Sequence, residues 1–249
     1  MPTTDENRAR FRALHDDGFF VLPNAWDAGS AVRLAGLGFK AIASTSAGAA
    51  WAAGKDDGEL TRDEVLAHLR MLVAATDLPI NADFENGFAD SPAEVARNVA
   101  LVLETGVAGL SLEDWSGDRM YDCGLAVERI AAARETIEAI APSAILVGRN
   151  ENFRVPGMTA TESIKRAVAY ADAGADCLFV PMIVERGAVA ELVAAVAPKP
   201  VNVLVHEYDA SIRTLADLGV RRCSVGGSLA RRTWAAFADA ARTLKDCEP

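Results

Sequence analysis

The chain has 249 residues, of which 51% are hydrophobic, and it carries a formal net charge of −10. This acidic balance argues against a nucleic-acid partner, which would require a basic surface patch. No apolar run is long enough to cross a bilayer, and the four cysteines lack CxxC spacing, so we expect a cytoplasmic protein without disulfides or a zinc site.

Taken in chain order, eight short apolar runs predict β-strands. Their residues are almost continuously apolar instead of alternating with polar ones, which is typical of parallel strands covered on both faces. The predicted strands are Phe19–Leu22, Lys40–Ser44, Leu78–Ala82, Val107–Leu112, Ala144–Val147, Cys177–Val180, Pro200–Val205 and Arg221–Val225.

Amphipathic helical patterns separate these strands. The stretch Thr61–Ala75 opens with a candidate N-cap and acidic residues, and Ser91–Glu104 opens with Ser-Pro, a cap followed by proline at the first helical position. Gly106, Gly174 and Gly219 each follow a helical stretch and precede a strand, as C-terminal capping glycines do. The other predicted helices are Ala126–Ile140, Thr161–Ala173, Glu185–Ala195, Ala210–Asp217 and Leu229–Leu244.

Eight strands that alternate with helices over about 250 residues predict an α/β fold, a (β/α)8 TIM barrel that forms a single domain over residues 1–249. A doubly wound open sheet is the alternative. That alternative is disfavoured because no GxGxxG or GxxxxGK[ST] motif follows the first strand.

Carboxylates follow two adjacent predicted strands. In such a barrel the chemistry lies where strands run into the following loops, so Asp83 after the third strand and Glu113 after the fourth should face one mouth. Oxygen ligands of this kind suit Mg²⁺, which takes one or two carboxylates and keeps several waters. Glu85 is a weaker third candidate ligand. The alternative role of these carboxylates is helix capping or pairing with arginines.

Other polar residues lie at the same end of the strands. Arg149 follows four apolar residues and could clamp a carboxylate with two parallel hydrogen bonds, or pair with Glu151. Ser44, Thr45 and Ser46 offer hydroxyl and backbone N–H groups that suit an anion, or form an ordinary polar turn. His206 could serve as an acid–base group or as a solvated loop histidine. The segment Gly226-Gly227-Ser228 could hold a phosphate at a helix N-terminus or form a turn with Ser228 as the N-cap.

Five ordered motifs on five successive strands resemble the isocitrate lyase/phosphoenolpyruvate mutase superfamily. The resemblance covers nearly the whole chain and is greatest to the short, mutase-like branch, which includes phosphonomutases, oxaloacetate decarboxylases and lyases of substituted malates. The motifs are Pro23–Ser30, Ser44–Gly48, Asn81–Phe88, Gly109–Asp114 and Gly148–Glu151.

This resemblance implies a metal site and a lid. Asp83 and Glu113 match metal-site carboxylates, and Asn81 occupies a position where many members carry another acidic residue, so it would act through water. Asp56 matches an aspartate that covers the bound substrate from a flexible loop, and we expect the segment Ala50–Glu59 to be a mobile lid hinged at its glycines.

The resemblance also assigns residues to the substrate. Arg149 would contact substrate oxygens as a catalytic residue together with Asp56, while Ser44, Thr45 and Ser46 would hold the substrate carboxylate close to Asp83.

The implied activity is that of a Mg²⁺-dependent lyase, with Mn²⁺ as an alternative ion. It would cleave or form a C–C bond next to a 2-oxo acid or malate-like carboxylate through a metal-stabilised enolate. Two alternatives remain: a mutase or hydrolase of phosphonate P–C bonds, and a non-catalytic barrel that binds 2-oxo acids. The resemblance further implies a homo-oligomer, a dimer or a homotetramer built as a dimer of dimers, in which the helix Leu229–Leu244 packs on a neighbouring subunit.

The sequence departs from the pattern of the long-loop lyases. Those lyases carry Lys-x-Cys-Gly-His after the strand-four glutamate, whereas Cys123-Gly124 here lacks both the preceding basic residues and the histidine. We therefore interpret Cys123 as structural, and isocitrate or methylisocitrate lyase activity is not predicted. The mutases carry a lysine and an asparagine in this loop and a histidine after strand six, where this chain has Arg119 and Val180-Pro181.

Overall fold

The computed structural model describes residues 2–151 and 154–248. The strands of this part of the chain are β1 (Phe20–Leu22), β2 (Asn24–Ala25), β3 (Ile42–Ser44), β4 (Ile80–Asp83), β5 (Gly109–Glu113), β6 (Ile145–Arg149), β7 (Cys177–Phe179), β8 (Val201–Leu204) and β9 (Arg222–Ser224). All of them are parallel and join one sheet in the order β1-β9-β8-β7-β6-β5-β4-β3-β2.

The sheet closes into a barrel through the segment 20–25. In this segment β1 pairs with β9 and β2 pairs with β3, so one stretch of chain joins both edges. Pro23 separates the two strands because it has no N–H to donate, while its carbonyl accepts a hydrogen bond from the N–H of Ala43 at 2.9 Å. The predicted (β/α)8 barrel is confirmed. Its first strand continues past the predicted end at Leu22, because the chain resumes pairing at Asn24.

The helices alternate with these strands. They are α1 (Thr4–Asp16), α2 (Ala28–Gly36), α3 (Ser46–Ala52), α4 (Arg62–Ala75), α5 (Pro92–Leu103), α6 (Cys123–Ile140), α7 (Ala160–Asp172), α8 (Arg186–Val196), α9 (Thr214–Asp217) and α10 (Ser228–Lys245), with a short 3-10 helix, Ala210–Arg213, before α9.

The predicted cap residues act as expected. Thr61 caps α4 through the N–H of Glu64, and Ser91 caps α5 through the N–H of Glu94. The three glycines that follow helices all have positive φ, as a left-handed C-terminal cap requires. Local capping chemistry therefore fixes helix ends that hydrophobic periodicity alone leaves uncertain.

The helices α1, α2 and α3 were not predicted. Each of them carries an N-terminal cap in the sequence: Thr3 forms a capping box with Glu6, Asp27 forms one with Ser30, and Thr45 accepts from the N–H of Gly48. The helix α3 also overlaps the predicted lid, so residues 50–52 are helical and not part of a loop.

The barrel interior is closed at its amino-terminal end by α1. Phe11 is fully buried and packs with Phe20, Ile145 and other inward-facing residues of the barrel. Polar contacts hold the helix in place: Arg8 donates to the carbonyl of Val107, and Arg12 donates to the carbonyl of Ala144, both just before strands begin. The open end of the barrel is therefore the carboxyl end of the strands.

The last helix, α10, is mostly exposed to solvent. Of α10, only Ala230 is buried, while three large apolar side chains are exposed: Trp234, Phe237 and Leu244. In the part of the chain that the structure describes, no helix combines the length and apolar character of a membrane span.

His15 on α1 generates a prediction about stability and pH. Burial, followed by the charge of Arg222, lowers its pKa from 6.5 to about 3. Because the folded-state pKa lies below the unfolded value, the unfolded chain takes up the proton first, and this contribution to stability is lost as the pH falls from 6.5 towards 3. When the pH is lowered from 7 to 5, the free energy of unfolding should therefore fall by about 2 kcal/mol less in the His15→Gln variant than in the wild type. Urea unfolding at both pH values measures this difference, and an equal loss in the two proteins would contradict it.

Candidate active site

A largely buried arginine joins the carboxylates at the open end of the barrel. Arg149 ends β6, and its Nη1 lies 3.0 Å from Oδ1 of Asp83 and 3.2 Å from Oε2 of Glu113, while its Nε donates to Glu151. Burial alone would lower the pKa of Arg149, but the charges of Glu113, Glu151 and Asp83 outweigh it and raise that pKa above its usual value. The structure thus brings Asp83, Glu113 and Arg149 together at adjacent strand ends, and Arg149 pairs with Glu151 as well.

Two serines at the end of β3 contact Asp83, Ser46 through the carboxylate and Ser44 through the backbone N–H. Both the N–H and the hydroxyl of Ser46 donate to Oδ2 of Asp83, at 3.0 and 2.9 Å, and the N–H of Asp83 donates to the Ser44 hydroxyl at 2.7 Å. Thr45 caps α3. These three residues line a cavity, as expected of a substrate site, but the donors of Ser46 are already bound to Asp83 and are not free for an incoming anion.

Glu85 lies in a strained turn after β4. Its φ is 46°, a left-handed conformation that is unfavourable for a residue with a side chain, and its carbonyl accepts from the N–H of Glu113 at 2.8 Å. Its carboxylate oxygen Oε1 is buried without a hydrogen-bond partner among the described residues. Burial, helped by the charges of Asp83 and Asp57, raises the pKa of Glu85 to about 7. Burial likewise raises the pKa of Glu113.

Asp57, and not Asp56, faces this cluster. The Ser46 hydroxyl lies 3.4 Å from Oδ1 of Asp57, and burial together with the charge of Asp83 raises the pKa of Asp57. Both aspartates belong to an exposed turn, and the N–H of Asp56 donates to the side chain of Glu59. The residue next to the predicted Asp56 is thus the one that lies beside the cluster. The reason is that α3 ends and the chain turns at Gly54, whose φ is 73°, and this fixes which of two neighbouring aspartates points inward.

Two adjoining cavities open at this end of the barrel. The central cavity, about 250 Å³, lies along the barrel axis, and the side cavity, about 300 Å³, lies beside it. Ser46, Asp57 and Arg149 line both. The side cavity is otherwise lined by residues that include Glu85, Glu113, Trp115 and Arg154. The cluster thus stands between two spaces, one of which is rich in carboxylates.

The inner end of the central cavity holds an arginine that sequence reasoning missed. Arg222 begins β9, is 2% exposed and lines the cavity together with Asn81, Asn202 and Ser111. Its signal in the sequence is a charged residue inside a run predicted as a buried strand. Because Asn81 is also within reach of Arg222, its side chain belongs to this inner layer of the barrel.

A buried network behind β6 positions the cluster. Asp114 accepts hydrogen bonds from the side chain of Asn150, the N–H of Glu151 and the hydroxyl of Tyr170, and it pairs with Arg166. Burial and the charge of Asp114 raise the pKa of Tyr170 above its usual value, so the hydroxyl stays protonated and donating. The network holds Glu151, which in turn holds the guanidinium of Arg149.

The donor set can be tested against a divalent ion. Within residues 2–151 and 154–248, no three His, Cys, Asp or Glu side chains converge closely enough to enclose an ion by themselves. Mg²⁺ does not require such a cage, because one or two carboxylates with waters and substrate oxygens suffice. The partnerless Oε1 of Glu85, beside Glu113 in the side cavity, is the kind of buried acceptor that such an ion satisfies. The residues therefore fit a hydrated divalent ion.

Three other candidate residues lie away from the cluster. Cys123 is the first residue of α6 and is absent from the lining of both cavities, which agrees with a structural role. His206 is exposed at the rim of the central cavity. Ser228 begins α10 but forms no side-chain cap, and its hydroxyl contacts Tyr208 instead.

Comparison with known proteins identifies relatives along nearly the whole chain. The sequence model of a family described as phosphoenolpyruvate phosphomutase matches residues 11–245. A crystal structure from Burkholderia cenocepacia J2315, described no more closely than as a lyase/mutase, is 43% identical with a TM-score of 0.93 over 97% of this chain and 88% of that one. The 2-methylisocitrate lyase of Salmonella typhimurium is 30% identical over 80% of this chain and 70% of its own length. A structure of 2,3-dimethylmalate lyase, 27% identical, has a TM-score of 0.87 over 99% of this chain and 89% of that one.

Proposed function

Because the chain belongs to the phosphoenolpyruvate phosphomutase family, within the isocitrate lyase/phosphoenolpyruvate mutase superfamily, we propose that it is a Mg²⁺-dependent lyase. It would break or form a C–C bond next to a 2-oxo acid or malate-like carboxylate. The observation that carries this proposal is the cluster of Asp83, Glu113 and Glu85 around Arg149 at the mouth of the barrel. Relatives named as lyases of 2-methylisocitrate and 2,3-dimethylmalate agree with C–C bond chemistry on substituted dicarboxylates and tricarboxylates.

The metal would be held at the cluster, where the two cavities adjoin. Asp83, which lines the central cavity, and Glu113, which lines the side cavity, are the proposed ligands, directly or through water. Glu85 is a third because it lines the side cavity beside Glu113 and its Oε1 has no partner among the described residues. When bound, the ion acts as a Lewis acid on the carbonyl and carboxylate oxygens of the substrate. Mn²⁺ is the alternative ion for the same oxygen ligands.

The protein's own groups would perform the remaining work. In a 2-oxo acid substrate, breaking the bond from C3 to the departing group leaves the electron pair on C3 of the 2-oxo acid. In a malate-like substrate, the hydroxyl carbon becomes the 2-oxo product and the pair stays on the other carboxylate fragment. In both cases the guanidinium of Arg149 would supply a fixed positive charge close to the developing negative charge. Asp57 has a raised pKa and lies at the junction of the two cavities, so it is suited to hold or deliver a proton there. The turn that carries Asp57 lies over the mouth and would exclude water if it closed.

A substrate screen tests the proposal. Oxaloacetate, phosphonopyruvate and a set of alkylmalates are incubated with the protein and Mg²⁺, and substrate loss is followed together with the release of pyruvate or another product. Turnover of oxaloacetate or an alkylmalate supports the lyase. Turnover of phosphonopyruvate alone would replace it with P–C bond chemistry, and tight binding of 2-oxo acids without any turnover would replace it with a binding barrel.

The first prediction from the proposed function concerns the ion. Asp83→Asn should reduce Mg²⁺ affinity at least tenfold, because the variant loses a charged ligand of a site that has few protein ligands. Calorimetric titration of the substrate-free protein with Mg²⁺ measures this without reference to activity. Asp56→Asn removes a nearby but exposed carboxylate and should bind Mg²⁺ as the wild type does. Equal affinities in the two variants would contradict the assignment.

The second prediction separates the two neighbouring aspartates. Asp57→Ala should lower kcat roughly 10²-fold or more, the usual cost of losing a positioned acid–base group. Asp56→Ala should change kcat little, because Asp56 is absent from the lining of both cavities, whereas Asp57 lines both. Steady-state kinetics on the substrate found by the screen measures both. If Asp56→Ala were the slower variant, the assignment of Asp57 would fail.

The third prediction concerns assembly. We propose that the exposed face of α10, with Trp234 and Phe237 in edge-to-face contact, packs on a second copy of the chain, in a dimer or a dimer of dimers. Size exclusion with light scattering at micromolar concentration should show an oligomer, and Phe237→Glu should reduce its size. Leu37→Glu alters a comparably exposed side chain on another face and should not. A monomeric wild type would refute the proposal.

A further inference from the structure

Arg222 is a buried cation that has no anionic partner. It points from β9 into the barrel and is 2% exposed. Among the described residues, no carboxylate forms an ion pair with it, and burial lowers its pKa from the usual value. Arg149, on the same inner surface, has three carboxylates around it. Both arginines line the central cavity, but Arg149 is surrounded by more negative than positive charge, whereas the positive charge of Arg222 is uncompensated.

The groups that hold Arg222 are neutral. Its Nε donates to Oδ1 of Asn202 at 3.0 Å, and its Nη1 lies 3.0 Å from Nε2 of His15 and 3.5 Å from Oδ1 of Asn81. Nδ1 of His15 bonds to the carbonyl of Phe11 at 2.8 Å, so Nε2 is the nitrogen that accepts from the guanidinium. Two amide oxygens and one imidazole nitrogen thus orient the side chain and leave its positive charge in place.

One nitrogen of Arg222 remains available. Within residues 2–151 and 154–248, Nη2 donates no hydrogen bond, although Nε and Nη1 are both engaged. The residue lines the central cavity with Asn81, Asn202 and Ser224. A guanidinium that is fixed by two of its nitrogens and presents the third to a cavity is preorganised for an anion.

Charge balance indicates what the cavity binds. Removing an arginine from water costs several kcal/mol unless an anion accompanies it. Here the protein supplies the anions only at the mouth, where they surround Arg149, while the inner end of the cavity holds the uncompensated charge. An anionic ligand that reached Arg222 would supply the missing counter-charge in a site shielded from water.

We propose that the inner end of the central cavity is an anion subsite, in which Nη2 of Arg222 binds a second acidic group of the substrate, a carboxylate or a phosphonate. This inference rests on the proposed function, because it takes the other end of the substrate to lie at the Asp83–Arg149 cluster. It narrows the substrate class to molecules with two acidic groups and makes Arg222 a residue that determines specificity.

Three probes test the subsite. Acetate, malonate and phosphonoacetate all contain a carboxylate attached to a CH₂ group. The second substituent of that CH₂ group is hydrogen in acetate, a carboxylate in malonate and a phosphonate in phosphonoacetate. Their binding is measured by ligand-induced thermal shift and by calorimetry in low-chloride buffer with EDTA, so that neither a metal nor turnover is required. The wild type should bind malonate or phosphonoacetate roughly tenfold or more tightly than acetate. Whichever of the two binds tighter identifies the second group as carboxylate or phosphonate.

Two variants and one control locate this preference at Arg222. Arg222→Met removes the charge and should abolish the preference. Asn202→Asp keeps Arg222 but gives its Nε an internal carboxylate of nearly identical shape, which should weaken the binding of both dianions roughly tenfold. Arg221→Met removes a neighbouring arginine that donates to the carbonyl of Gly18 at the surface, and it should keep the preference.

These binding measurements test the anion subsite and do not depend on the proposed lyase activity. A wild type that binds acetate as well as both dianions would overturn the proposal, and so would a preference that survives in Asn202→Asp and Arg222→Met. If Arg222→Met does not fold, Asn202→Asp still decides. The absence of lyase turnover in the substrate screen would overturn the proposed function and leave this binding result standing.

Discussion

The contact of one guanidinium with three carboxylates organises the open end of the barrel. Arg149 can remain buried only because Asp83, Glu113 and Glu151 surround it, and these carboxylates can be brought together only because Arg149 offsets their mutual repulsion. Asp83 and Glu113 lie on β4 and β5 and Arg149 on β6, three neighbouring strands, and Glu113 is the direct register partner of Arg149. The parallel register thus sets which side chains meet, and the ion pairs set where each carboxylate points.

Much of this arrangement follows from the sequence. The strands are continuous apolar runs that end in polar residues, and parallel strands place those ends at one mouth, so the meeting of Asp83, Glu113 and Arg149 could be predicted before any coordinates. Capping residues such as Thr61 and Ser91 likewise determine where helices begin. Such features depend on a few neighbouring residues and on a regular period, which a single sequence displays directly.

Other features depend on three-dimensional geometry that the hydrophobic periodicity of the sequence does not encode. Asp56 and Asp57 are adjacent in a turn, and only the end of α3 and the left-handed turn at Gly54 decide that Asp57 faces inward. The helix α1 has few apolar residues, yet Phe11 and His15 close the barrel by packing on residues that are far away in the sequence. Local sequence patterns do not reveal such contacts. Arg222 appears in the sequence as one charge inside a strand. Its significance emerges only when the structure shows that its side-chain partners are Asn202, His15 and Asn81 and not carboxylates.

Arg149 and Arg222 lie in electrostatically opposite surroundings along the barrel axis. At the mouth, burial raises the pKa of Glu85 and of Glu113, and three carboxylates, those of Asp83, Glu113 and Glu151, surround the single guanidinium of Arg149. At the inner end, Arg222 has positive charge in excess. A cation bound at the mouth and an anion extending inward would relieve both imbalances at once, whereas either ligand alone would relieve only one. The binding of metal and of an acidic substrate should therefore be mutually favourable in this barrel, because each ligand supplies the charge that the other end of the cavity lacks.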